Sequence, residues 1–128
     1  MKLGKKLAGL MLSATLVVSS ISTVLAMTDA SKTANGTYGT MPWSASAKVL
    51  SNNFTAKFST AYYCRNVRVT TRAEYKLQSG ASSYGTRDSG YCTQVAETKA
   101  LNVANMDVTK MYSQNYIDTA LCETLTLR

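Results

Sequence analysis

The chain has 128 residues, 14 Lys+Arg against 7 Asp+Glu, three cysteines and no histidine. Without imidazole there is no Ser-His-Asp hydrolysis, no histidine acid–base catalysis and no histidine-ligated zinc. The basic excess is diffuse, without Lys/Arg runs or a nucleic-acid motif, so no nucleic-acid partner is expected.

The first 26 residues set the expected compartment. Lys2, Lys5 and Lys6 precede an apolar run, Leu7 to Val18, and a hydroxyl-rich segment then ends in Val24-Leu25-Ala26. That three-part layout predicts a helical secretory signal in bacterial style, cleaved after Ala26. The competing expectation is an uncleaved anchor over Leu7 to Ala26, the one predicted membrane contact. No lipoprotein box accompanies the cut site, since the first cysteine is Cys64. Loss of the three lysines leaves eleven basic against seven acidic residues, a net +4. The expected organisation is a signal over 1–26, a flexible lead-in over 27–35 and one domain over 36–128. A chain of that size buries about 65% of its unfolded surface, enough for one modest core.

Along the domain, Ser44 to Leu50 and Phe54 to Ala61 show a two-residue apolar period around a turn at Ser51-Asn52-Asn53. Val67, Val69, Ala73, Tyr75 and Leu77 alternate with Arg68, Thr70, Arg72, Glu74 and Lys76, the clearest strand in the chain. Gln78 to Gly90, rich in Gly and Ser, reads as a loop. Tyr91 to Ala104 reads as an interrupted strand with Val95, Leu101 and Val103 inward. Segment 106–118 reads as ambiguous, with room for one helical turn. Ile117, Leu121, Leu125 and Leu127 share one parity in a last strand. The pattern predicts an all-β fold, a small antiparallel β-sandwich or barrel.

Cys64, Cys92 and Cys122 have even numbers, opposite to the apolar parity of their segments, which predicts an outer-face location. In an exported chain, three cysteines suggest one disulfide and one leftover thiol. Symmetry about a hairpin apex at Asn105-Met106-Asp107 favours Cys92–Cys122. Cys64–Cys92, symmetric about Gln78, is the alternative. The first pairing leaves Cys64 as a free or intermolecular thiol. Catalysis by Cys64 lacks a proton acceptor, so a structural role is expected. No Ser-x-x-Lys, CxxC or calcium-loop motif is present, and neither a metal nor a cofactor is expected.

Two features suggest binding. Arg68, Arg72 and Lys76 recur at every fourth position of an extended strand, about 13 Å apart, a row suited to an anionic polymer. Tyr84 and Tyr91 flank Arg87 and Asp88, and tyrosine pairs a flat apolar ring with a hydroxyl. The expected role is therefore binding or surface interaction outside the cell, with a glycan, a cell-wall polymer or a protein. The alternatives are a bacteriocin-like or membrane-active antagonist and a hydrolase using two of the dispersed carboxylates.

Overall fold

The computed structural model of the protein describes residues 28–64 and 66–128; the expected signal, 1–26, lies outside the described residues. The described chain forms nine strands. In order they are β1 (Ala30–Tyr38), β2 (Met41–Leu50), β3 (Asn53–Thr60), β4 (Val67–Lys76) and β5 (Ser82–Asp88). Then come β6 (Val95–Glu97), β7 (Leu101–Asn102), β8 (Asp107–Ile117) and β9 (Ala120–Thr126). They build two antiparallel sheets, one ordered β1-β2-β3-β6 with β7 also on β3, the other ordered β5-β4-β8-β9. No helix occurs among the described residues.

Alternation carries the core. β2 turns Trp43, Ala45, Ala47 and Val49 inward, and β3 turns Phe54, Ala56, Phe58 and Thr60 inward. From the other sheet, Val67, Val69, Ala73, Met111 and Ile117 complete one shared apolar cluster. Trp43 tilts against Phe58 with ring centroids 5.5 Å apart. The β1 backbone lies on that indole at Gly36, where any Cβ would overlap the Trp43 ring. The β2–β3 hairpin closes through Ser51 and Asn52, both at positive φ (49° and 64°), the primed turn that matches strand twist.

Several expectations change. Residues 30–35 belong to edge strand β1 rather than to a flexible lead-in. Most of the expected 78–90 loop is β5, because Ser82 to Asp88 pair with β4 along its length. Segment 106–118 is the long strand β8, with no helical turn. Around Val95 the parity is reversed: Val95 is exposed, while Ala96 and Thr98 are buried. Tyr62 and Tyr63 are 64% and 73% exposed, whereas Trp43 is buried.

The cysteine geometry also differs. All three are free thiols, partly buried against the core instead of lying on an outer face. Cys92 forms an antiparallel bridge with buried Val67, and directly opposed residues share a face. Cys122 falls in a register shift, since Asn115 pairs with Glu123 but Tyr116 pairs with Leu121. That bulge reverses the parity, so Leu125 points inward while Leu121 is 50% exposed. The favoured Cys92–Cys122 pairing is not made. The path Cys92, Val67, Ile117, Ala120 crosses the whole sheet. Three strand spacings come to about 14 Å, twice the reach of a disulfide.

Candidate functional site: the outer face of the β5-β4-β8-β9 sheet

The even residues of β4 point outward, which puts Arg68, Thr70, Arg72 and Glu74 on one flat surface. Antiparallel register fixes their neighbours. Arg68 lies opposite Tyr116, Thr70 between Asp88 and Gln114, Arg72 between Thr86 and Tyr112, and Glu74 between Tyr84 and Lys110.

Two tyrosine–arginine rows result. The Arg68 guanidinium lies 5.5 Å from the ring centre of Tyr91 and 5.7 Å from that of Tyr116. Arg72 lies 3.8 Å from the ring centre of Tyr84 and opposes Tyr112 across the ladder. Lys110 adds a contact to Tyr112 at 5.0 Å. Between the rows runs the polar line Asp88, Thr70, Gln114 and Thr124. Gln114 accepts from the Tyr116 hydroxyl at 3.2 Å.

Carboxylates hold both guanidinium groups in place. Arg68 Nη2 donates to Asp88 Oδ2 at 2.6 Å and its Nε donates to Asp88 Oδ1 at 3.1 Å, a two-pronged pair. Asp88 also accepts from the Gly90 N–H at 2.8 Å, which fixes the turn carrying Tyr91. The hydrogen bond from Arg68 holds the Asp88 carboxyl below its ordinary range, helped by that backbone N–H. Arg72 Nε donates to Glu74 at 2.9 Å. The surface is therefore close to neutral: Arg68, Arg72, Lys76 and Lys110 stand among Glu74, Asp88 and Asp107.

Of the expected site residues, Arg68, Arg72, Tyr84 and Tyr91 come together. Lys76 lies at the end of the same face, exposed, opposite Ser82 and Asp107. Arg87 leaves the group, because it opposes buried Thr71 and so projects from the other side of β5, donating to the Thr86 carbonyl. Sequence reasoning missed Lys110, Tyr112, Gln114 and Tyr116, all on β8. Their two-residue period was the available signal.

A shallow cleft of about 130 Å³ lies on the other sheet, lined by Pro42, Trp43, Ser44, Ser59, Thr60 and Ala61. It is smaller than an ordinary small-molecule pocket of roughly 300 Å³ or more. No family model, no curated protein and no solved structure matches the chain.

Proposed function

We propose that this protein is an extracytoplasmic β-sandwich binding module whose outer β5-β4-β8-β9 face takes a glycan chain. The observation that carries this reading is the pair of Tyr–Arg–Tyr rows on one flat face, with Arg68 between Tyr91 and Tyr116 and Arg72 between Tyr84 and Tyr112. Tyrosine rings offer apolar area with little rotamer loss, and their hydroxyls, with Thr70 and Gln114, suit sugar hydroxyls. The rows stand about 13 Å apart, a few sugar units of an extended polymer. Because each arginine has its own carboxylate, the face favours neutral or weakly acidic glycans over a polyanion.

The hydrolase alternative has less support. Glu74 and Asp88 share the face, but four residues of extended chain separate their rows, about 13 Å. Carboxyls in inverting glycosidases stand at most about 9.5 Å apart. Each of these two is also engaged by an arginine. The antagonist alternative needs an apolar or amphipathic membrane-facing element, and the described residues offer a polar sheet face instead.

The test is retention on insoluble glycans (peptidoglycan, chitin, β-glucan, xylan), comparing the native protein with Tyr84→Ala and Tyr116→Ala. Retention by at least one polymer, reduced tenfold or more in both variants, supports the proposal. Binding to none of them, or equal binding by native and variant proteins, sinks it.

A further inference from the structure

The chain crosses between the two sheets twice at one end of the molecule. The 60–67 segment leaves β3 for β4, and the 91–95 segment returns from beside β4 to β6. These crossings run side by side and are joined by backbone hydrogen bonds. Thr60 N–H donates to the Gln94 carbonyl at 3.0 Å and Cys64 N–H to the Thr93 carbonyl at 2.7 Å. Val67 and Cys92 exchange both backbone bonds, at 2.9 and 2.8 Å. Cys64 thus bonds to the residue that follows Cys92, and both side chains pack against the same core.

We propose that Cys64 and Cys92 form an intramolecular disulfide that ties the two crossings together. Cys122 takes no part. It stands on β9, across the sheet from Cys92, and β4 and β8 lie between them. Burial also pushes the Cys122 thiol up, which lowers its thiolate fraction. In the structure the Cys64 sulfur lies 3.7 Å from Thr60 Oγ1 and the Cys92 sulfur 3.7 Å from the Gly90 carbonyl. Bond formation requires both to leave these weak contacts.

The oxidant is a disulfide, either oxidised glutathione or a thiol–disulfide oxidase of the exporting compartment. One cysteine, as thiolate, attacks the oxidant, forming a mixed disulfide and releasing one reduced thiol. The second cysteine loses its proton and attacks the protein sulfur of that mixed disulfide. The Cys64–Cys92 bond forms and the second thiol leaves, so two electrons and two protons pass to the oxidant. Tyr91 precedes Cys92, so the bond also fixes one ring of the Arg68 row; that consequence rests on the glycan-binding reading.

Trypsin places each cysteine in its own peptide: 58–65 for Cys64, 88–99 for Cys92 and 111–128 for Cys122. The purified full chain is equilibrated in a reduced/oxidised glutathione buffer, alkylated, digested without reduction and read by mass spectrometry. The expected result is 58–65 joined to 88–99, with 111–128 alkylated. Cys122→Ser keeps the joined pair, whereas Cys64→Ser leaves Cys92 alkylated, each variant being checked for native sheet content by circular dichroism. Three alkylated peptides, or any bridge that includes 111–128, overturns the proposal. The mapping needs no ligand, so failure of glycan binding leaves it intact. Reduction of the mapped bond is expected to lower glycan retention several-fold.

Discussion

Arg72 lies 3.8 Å from the centre of the Tyr84 ring while its Nε donates to Glu74 at 2.9 Å. The carboxylate and the ring hold the guanidinium from two sides, so the cation is spent inside the protein. Glu74→Gln keeps a weaker acceptor but removes the neutralising charge. The variant is expected to bind an anionic polymer such as heparin or teichoic acid at least threefold more tightly than the native protein. That gain should vanish in high salt, and isothermal titration at two ionic strengths checks both points.

The Asp88–Arg68 pair gives a pH dependence with a defined sign. Arg68 lowers the folded-state pKa of Asp88 below the ordinary carboxylate value. Its stabilisation is therefore present at neutral pH and down to the ordinary aspartate range, and it is lost as pH falls through the lower folded value. The pair is partly solvated, with side chains 34% and 47% exposed, so it contributes about 1 kcal/mol or less. Urea melts of native protein and Asp88→Asn between pH 7 and pH 2 are expected to differ at neutral pH. They should converge once the pH has fallen below the ordinary aspartate range and through the lower folded value.

Thr71 is fully buried, and its hydroxyl has no hydrogen-bond partner among the described residues; the same holds for Ser113, directly opposite on β8. An unpaired buried hydroxyl costs roughly 1–3 kcal/mol, and valine nearly preserves the shape of threonine. Thr71→Val is expected to stabilise by about 1 kcal/mol. A thermal melt that falls on substitution would show that the hydroxyl is satisfied in solution.

Gly36 meets the Trp43 indole where a side chain would overlap it. Gly36→Ala must push β1 off the ring or tilt the ring into Phe58, at a cost of about 1–3 kcal/mol. Trp43 is the sole tryptophan, so a red shift of its emission accompanies the loss. Unchanged emission with unchanged stability would refute the contact.

The legible part of the fold was the part with unbroken alternation. β2, β3 and β4 could be read within a few residues because Trp43–Val49, Phe54–Phe58 and Val67–Ala73 keep one parity throughout. β5 was hidden because its inward residues, Ser83 and Gly85, are small and only half-buried, with Gly85 leaving room for Leu101. β8 was hidden because its inward residues include Ser113 and Asn115, and because a register shift opposite Glu74 and Tyr75 breaks its period. The cysteine pairing failed because the chain from Cys92 to Cys122 is not one hairpin: β6 and β7 join β3 in the other sheet, and β4 and β8 stand between the two cysteines. Half of the candidate face was visible, on β4 and β5. The half on β8, Lys110 to Tyr116, keeps a two-residue period in the sequence, but only the register of the assembled sheet sets it beside Arg68 and Arg72.

The paired crossings have a mechanical consequence. Backbone bonds at Thr60, Cys64 and Val67 tie two crossings together at one end, whereas at the other end a single crossing, 103–106, leads from β7 to β8. The sandwich is thus laced twice at the Cys64–Thr93 end and once at the other. Thermal breathing should begin at the singly laced end, and the amides of Val67 and Cys92 should be among the last to exchange with solvent deuterium. A ligand seated on the Arg68 row, beside Val67 and Cys92, would then rest on the part of the face that gives way last.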